Sequence, residues 1–375
     1  MISRTDADKL RGLRSPDSAV LSLYLTVPVD LAEHRGLATR ARELIKAAAA
    51  DVPGLAADRV REQDLEAVAQ AVAVHSHDWL GHTTAIFACG ELGLFEAIPL
   101  PGFLGDRAVV AARPYTRPLL AAIQRNPAYR VAVLDTKHAW VLAIGDSEIE
   151  TLAERTGEGV PSTGFSGWYG LEAYRIQQRI MRLSRQHFRE TIAMLERSAD
   201  DGRQPLVLGG HEDEVKRFQS LLPPPVRDSV AGCFSVDLQT ATPGRVRELA
   251  TPVMARWAAE SEARLVDELL SDPPDTAVTT DLAGCLAAVR SRAVSHLVVD
   301  DDQMVPGCAC DDCGALSLGT SGGGCADPGH AFRIVPDLLD ELASQALDGG
   351  GQVTSVRNPP FAAAARLRFP VTAPA

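Results

Sequence analysis

The stretch PLVLGGHEDEVKRFQSLLPPPVRDSVAGCFSVD, residues 205–237, decides the fold class. Its apolar run at 205–210 predicts a buried strand, the amphipathic segment 212–222 predicts a helix, and residues 230–237 predict a second strand. The prolines at 223–225 separate the helix from that second strand. Strands that alternate with helices in this way are typical of an α/β layer sandwich.

The same alternation extends in both directions from this stretch. Upstream, residues 129–155 predict a hairpin and residues 171–198 a long helix, while VLSLYLTV at Val20–Val27 predicts a strand. Downstream, a helix of nearly thirty residues begins near Thr242. The whole chain is therefore predicted to have an α/β fold with mixed sheets flanked by helices.

Three domains are expected from the way the pattern restarts. The first is an N-terminal strand-helix-helix-hairpin domain over 1–105. The second is a central α/β domain over 106–240. The third is a C-terminal α/β domain over 241–375, with a cysteine-rich insert at 308–330. A chain of 375 residues that is 46% hydrophobic has enough apolar side chains for several separate cores.

The charge balance and the apolar runs exclude some classes of function. A net charge of -12 excludes a protein that coats nucleic acid over its whole surface, although a local basic patch remains compatible with it. No apolar run approaches the roughly 20 residues of a membrane span, and the charged start lacks the apolar core of a secretory signal. We therefore expect a cytoplasmic protein with neither membrane nor DNA as a partner.

The helix predicted over 171–198 carries five arginines at spacings of 4, 3, 3 and 4 residues. At about 100° per residue they fall within about 120° of arc and form one cationic stripe. Arginine binds phosphate in a bidentate manner, and near-parallel guanidinium groups repel one another unless a polyanion lies between them. The pattern indicates contact with RNA, and the alternative is a solvated face paired with acids from elsewhere. The stripe comprises Arg175, Arg179, Arg182, Arg185 and Arg189.

A loop rich in Gly, Ser and Thr, residues 157–170, precedes that helix and carries two aromatic residues. Such a loop can insert into a cavity and stack its aromatic rings on bases. The alternative is an ordinary connector whose tryptophan packs back onto its own domain. The candidate residues of this loop are Gly164, Ser166, Gly167, Trp168 and Tyr169.

Four of the seven cysteines crowd into one short segment, which in a reducing compartment favours a metal site over disulfides. Cys310 and Cys313 form a Cys-x-x-Cys knuckle, and Cys325 with His330 offers a second ligand pair at the spacing of a tetrahedral structural zinc site. Cys308 is an alternative ligand, and an empty knuckle is the competing interpretation. The remaining cysteines lie in apolar runs and are predicted to be core residues: Cys89, Cys233 and Cys285.

Together these segments resemble the archaeal and eukaryotic class-one peptide release factors and, more closely, their bacterial relatives. Val20–Val27 and the helix after it resemble the opening strand and helix of that family, and residues 107–240 resemble its central domain. The loop at 157–170 and the arginine helix take the places of the catalytic loop and the basic helix behind it. The C-terminal part resembles the third domain, which in archaeal members carries a small metal-binding insert.

Two segments depart from the family pattern. Gly167-Trp168-Tyr169 occupies the place of the catalytic Gly-Gly-Gln, so the glutamine that orients the hydrolytic water is absent. Leu44-Ile45-Lys46-Ala47 is the nearest match to the codon-reading Asn-Ile-Lys-Ser, and it lies inside a predicted helix. The resemblance therefore implies the scaffold of a release factor without its two signature motifs, and no catalytic residue is assigned.

The resemblance implies a factor that fills the ribosomal A site and contacts ribosomal RNA. It would act in hibernation or rescue without reading stop codons, as Balon-type hibernation factors do, with an elongation-factor GTPase as a candidate delivery partner. Two alternatives stay open. One is an active peptidyl-tRNA hydrolase that uses a variant loop, and the other is a zinc-containing RNA-binding protein or nuclease of stress metabolism.

Overall fold

The computed structural model of the chain describes residues 4–50, 60–102, 104–145, 148–156, 170–198, 204–271, 277–319, 330 and 332–371. The chain divides into two compact units. Unit 1 combines Met1–Arg125 with Glu262–Ala375, and unit 2 is Asn126–Ser261. Within the described residues, no helix is both long enough and apolar enough to cross a membrane.

The N-terminal part of unit 1 is an antiparallel sheet with helices on both faces. Its strand order is β3-β2-β1-β4. The elements are α1 (Arg4–Arg11), β1 (Val20–Thr26), α2 (Leu37–Ala50), α3 (Glu62–His75), β2 (Thr83–Cys89), β3 (Leu94–Leu100), β4 (Arg107–Ala111) and α4 (Arg117–Arg125).

The central position of β1 explains its apolar sequence. Successive side chains of a strand point to opposite faces, so Leu21, Leu23 and Leu25 lie in the core cluster that includes residues of α2 and α3. Tyr24 lies in a second cluster on the other face, together with Leu119 of α4. Both faces of β1 are therefore buried, as the predicted strand at Val20–Val27 requires.

The position of β4 corrects the predicted boundary between the first two domains. Residues from 106 onward were expected to open the central domain, but β4 pairs with β1, with Val110 opposite Leu21. The helix α4 that follows also belongs to unit 1. A new strand-helix pattern along a chain does not reveal which sheet the strand joins, because strand pairing is a long-range contact.

Unit 2 is a five-stranded sheet with strand order β7-β6-β5-β8-β9. Strands β5, β8 and β9 run parallel, and β6 and β7 are antiparallel additions. The strand, helix and strand predicted over 205–237 are confirmed, as is the long helix before them. The elements are β5 (Tyr129–Leu134), β6 (His138–Ile144), β7 (Ile149–Thr156), α5 (Gly170–Arg197), β8 (Leu206–Gly210), α6 (Glu212–Leu221), α7 (Pro224–Asp228), β9 (Val230–Ser235) and α8 (Pro243–Ser271).

The two faces of β5 build two separate cores in unit 2. Ala132 and Leu134 lie in one cluster with Phe188 of α5. Val131, on the other face, lies in a cluster with Val253 from the first half of α8. Helices therefore cover both sides of the sheet, which makes unit 2 the α/β layer sandwich that the sequence predicts.

The C-terminal part of unit 1 begins inside α8, at Glu262, and not at residue 241 as expected. The first half of α8 packs with the core of unit 2, and Leu269 near its end packs in a core cluster of unit 1. A four-stranded sheet of order β10-β16-β11-β15 and a small sheet of order β13-β12-β14 follow. The elements are β10 (Val278–Thr279), α9 (Leu282–Arg290), β11 (Val294–Asp300), β12 (Gly307–Cys310), β13 (Leu316–Leu318), β14 (Phe332–Val335), α10 (Leu338–Asp348), β15 (Gln352–Val356) and β16 (Ala363–Leu367).

A buried ion pair joins the N-terminal and C-terminal parts of unit 1. Arg117 at the start of α4 contacts Asp337 at the N-cap of α10 through Nη2 at 2.7 Å and Nε at 3.0 Å, and each side chain is only 1% exposed. Tyr115 donates its hydroxyl to the same carboxylate oxygen at 2.9 Å. These contacts make one compact unit from two segments separated by the whole of unit 2.

Candidate functional site

The first candidate site is the outward face of α5. On the inward face of this helix, Phe188, Ile192 and Leu195 are buried against α6, where Phe188 meets Phe218 edge-on with ring centroids 5.5 Å apart. A 28-residue amphipathic helix held along one stripe leaves its opposite stripe to solvent.

Four arginines of the predicted stripe lie on that outward face. All four are exposed, and within the described part of the chain none has a carboxylate partner at ion-pair distance. Glu190, an acid next to the stripe along the helix, pairs instead with Arg155 of β7. The side chains therefore form an uncompensated cationic surface: Arg179, Arg182, Arg185 and Arg189.

The remaining residues predicted for this region lie wholly or partly outside the described residues. Arg175 is on the backbone of α5, but its side chain is not among those described. The loop candidates Gly164, Ser166, Gly167, Trp168 and Tyr169 are all outside them. Their assignment to a loop in front of the arginine helix stays a prediction.

His187, on the inward side of α5, is a buried titratable group. It is 3% exposed. Burial lowers the pKa of His187, and Arg155 lowers it further, while the His138 carbonyl, Asp135 and Glu190 oppose that shift. Burial therefore favours the neutral form of the imidazole beneath the cationic face.

The second candidate site is the cysteine knuckle of unit 1. The ligand atoms of Cys310, Cys313 and His330 all lie within 4.8 Å of one another, and Cys310 Sγ is 3.8 Å from His330 Nδ1. Cys310 ends β12 and pairs in register with Phe332 of β14, which brings the nearby His330 to the same place. Two thiolates and an imidazole are a donor set that can hold a metal ion.

The tertiary structure distinguishes between the two alternative ligands. His330 joins the cluster, whereas the Cys308 thiol donates to the Gly319 carbonyl at 3.2 Å and lies outside it. Cys325 falls outside the described residues. Of the three cysteines predicted to be core residues, Cys89 and Cys285 are buried, but Cys233 on the edge strand β9 is exposed, so that prediction was wrong for Cys233.

Sequence comparison assigns a family to the segment that carries the arginine helix. Residues 114–255 match the family model described as bacterial archaeo-eukaryotic release factor family 10. This segment, which is less than half of the chain, is therefore similar to bacterial relatives of the archaeal and eukaryotic class-one release factors. The matched segment includes the whole of α5 and the loop before it. No curated protein matches the chain.

Several solved structures align with most of the chain at low identity. The archaeal translation termination factor aRF1 aligns over 98% of this chain and 99% of its own, with 13% identity and a TM-score of 0.27. S. cerevisiae Dom34, a translation termination-like factor, aligns over 77% and 79%, with 11% identity and a TM-score of 0.41. Archaeoglobus fulgidus Pelota aligns over 78% and 80%, with 15% identity and a TM-score of 0.37.

Proposed function

We propose that this protein is a cytoplasmic ribosome-associated factor that occupies the A site in hibernation or rescue. The observation that carries the proposal is the exposed row Arg179, Arg182, Arg185 and Arg189 on α5, inside the segment that matches the release-factor family. Ribosomal RNA supplies the phosphates that such a row requires, and a local row of arginines can bind them although the net charge of the chain is -12.

Cosedimentation with 70S ribosomes over a series of salt concentrations tests this proposal. A triple variant that changes Arg182, Arg185 and Arg189 to Ala should bind more weakly. The slope of log affinity against log salt should fall by about two to three, because each phosphate contact contributes on the order of one. The matched control changes Arg245 and Arg256 of α8 to Ala. These two arginines are exposed but already paired with acids of their own helix.

The control variant should bind as the unaltered protein does. If the triple variant keeps the original affinity and salt slope, α5 is not the RNA face. If the unaltered chain does not cosediment with ribosomes at all, the second class of function, a zinc-containing RNA-binding protein or nuclease of stress metabolism, takes its place.

The protein is also proposed to leave the nascent peptide attached. Hydrolysis of the ester needs a positioned water, and Gly167-Trp168-Tyr169 lacks the glutamine that orients it in the related factors. Ribosomes with labelled peptidyl-tRNA in the P site should therefore release peptide only at the spontaneous rate when the protein is added in excess. Release well above that rate, abolished by Trp168→Ala, would instead establish the peptidyl-tRNA hydrolase alternative.

The metal of the knuckle is proposed to be a structural zinc ion. Sulfur and nitrogen ligands of a tetrahedral zinc lie about 3.5 Å apart, close to the 3.8 Å between Cys310 Sγ and His330 Nδ1. Cys313 supplies the third ligand, and Cys325 is the proposed fourth. Elemental analysis should find about one zinc per chain. Cys310→Ser should lose the zinc, whereas Cys308→Ser should keep it.

An elongation-factor GTPase remains the proposed delivery partner.

A further inference from the structure

Asp311 lies inside the knuckle, directly after Cys310, and its carboxylate meets two arginines. Oδ1 accepts hydrogen bonds from Nη2 of Arg14 and from Nε of Arg333, the latter at 2.6 Å. Arg14 lies 297 residues earlier in the chain, just after α1. The turn that carries two of the proposed metal ligands therefore contacts the N-terminal part of unit 1 through the side chain of Asp311.

This contact is one end of a longer row of alternating charges. Arg333 pairs with Glu341 of α10 at 2.7 Å, and the other oxygen of Glu341 pairs with Arg113 at 3.2 Å. The row begins and ends on N-terminal arginines, Arg14 and Arg113, and its middle members come from the C-terminal part. The side chains of Arg14 and Asp311 are 44% and 46% exposed, so this ion pair is weak by itself. The strength of the pair therefore depends on the neighbouring charges of the row and on how firmly Asp311 is held.

The turn that carries Asp311 is held at several points. The Gly314 amide donates to the Cys310 carbonyl at 3.0 Å, and the Cys310 amide donates to Ala315 at 2.8 Å. Gln345 of α10 donates to the Gly314 carbonyl at 2.7 Å. Gly314 has a φ of 70°, which suits glycine in such a turn. A metal ion on Cys310 and Cys313 would hold the backbone on both sides of Asp311.

We propose that a metal ion in the knuckle acts as a latch between the two parts of unit 1, through Asp311 and its contact with Arg14. With its flanking residues immobilised, Asp311 loses less conformational entropy when it pairs, so the contact forms more fully. The latch rests on the proposed metal site and is independent of ribosome binding.

Hydrogen exchange measured by mass spectrometry on the full chain tests the latch. Zinc-loaded protein is compared with protein stripped by a chelator, and zinc content is measured in parallel. Peptides that cover α1 and Arg14 should exchange about two- to fivefold faster without zinc, the range expected for one ion pair in a network. Asp311→Asn keeps every ligand, so it should still bind zinc while α1 no longer responds to the metal.

Asp312→Asn is the matched control, because Asp312 is the neighbouring acid of the same turn and has no ion pair in the described structure. It should respond to zinc as the unaltered protein does. If zinc binds but exchange in α1 does not change, the latch is wrong and the metal site stands. If no zinc binds, both are wrong. If Asp312→Asn loses the response as fully as Asp311→Asn, the effect is one of general charge and the latch is again wrong.

Discussion

Replacing Arg117 by Met should destabilise unit 1 more than any exposed charge replacement. The guanidinium is buried and meets Asp337 through two hydrogen bonds, at 2.7 and 3.0 Å. It also donates to the carbonyls of Gln303, at 2.7 Å, and Asp300. Methionine keeps most of the aliphatic stem but leaves the carboxylate and both carbonyls without these donors.

The magnitude follows from what remains around Asp337 in the variant. Removing one partner of a buried ion pair costs about 3–5 kcal/mol. Asp337 still accepts hydrogen bonds from the Tyr115 hydroxyl at 2.9 Å and from the amides of Leu339 and Val305 at 3.1 and 3.3 Å. Because these three donors remain, the cost of leaving the carboxylate without its arginine lies at the lower end of that range. The two orphaned carbonyls add about 1 kcal/mol each to the roughly 3 kcal/mol of the carboxylate, so the total is about 5 kcal/mol.

A second substitution separates the buried charge from the lost packing. Asp337→Asn removes the charge but keeps an oxygen that can accept from the Leu339 amide at the start of α10. The double variant should therefore be more stable than Arg117→Met alone by about 2 kcal/mol. Arg42→Met, which breaks an exposed pair with Glu66 in the same unit, is the control and should leave the unfolding midpoint unchanged.

The assay is urea unfolding of the full chain, followed by pulse-labelling hydrogen exchange. Peptides from β1 and β11 report on unit 1, and peptides from β5 report on unit 2 as an internal reference. A cost below about 1 kcal/mol for Arg117→Met would refute the reasoning, because that is the range of an exposed pair. A double variant no more stable than the single one would refute the role of the buried charge.

Three further predictions concern pH and backbone geometry. Burial raises the pKa of the Asp340 carboxyl to about 6 from 3.8. The contribution of this group to the free energy of unfolding is therefore present below pH 4 and is lost as pH rises through 6. Between pH 4 and pH 6, the free energy of unfolding measured with urea should therefore change by about 3 kcal/mol less for Asp340→Asn than for the unaltered protein. The lowered pKa of His187 makes unit 2 lose stability as pH falls below 6.5, and His187→Leu should reduce that loss between pH 7 and pH 5. Gly210 has a φ of 148°, and a Cβ there would lie 2.3 Å from the Leu134 carbonyl oxygen. Gly210→Ala should therefore lower the free energy of unfolding, measured by thermal unfolding, by about 1–3 kcal/mol. Gly244→Ala is the control and should leave it unchanged, because the space around Gly244 is open.

Local sequence patterns were sufficient for many of the elements. The alternation at Val20–Val27 predicted β1, and the pattern over 205–237 predicted β8, α6 and β9. The helical period also placed Arg179 and Arg189 on the same face of α5, where the structure shows them exposed. These features depend on the backbone geometry of neighbouring residues, and that geometry is common to every helix and strand.

Contacts between distant residues could not be inferred in the same way. The Cys-x-x-Cys spacing indicated a metal site but left Cys308 and His330 as alternatives, and the pairing of β12 with β14 decided for His330. No local signal distinguished the exposed Cys233 from a core cysteine, because its exposure follows from the edge position of β9.

The sequence by itself determined the α/β class, the order of most elements and the cationic face of α5. The tertiary structure alone decided that β4 completes the first sheet and that Arg117 meets Asp337 across 220 positions of the chain. An arginine at the start of a helix looks the same whether it faces solvent or a buried carboxylate. Only the folded chain brings that carboxylate to it, since the free energy of a buried charge depends on partners that the local sequence does not contain.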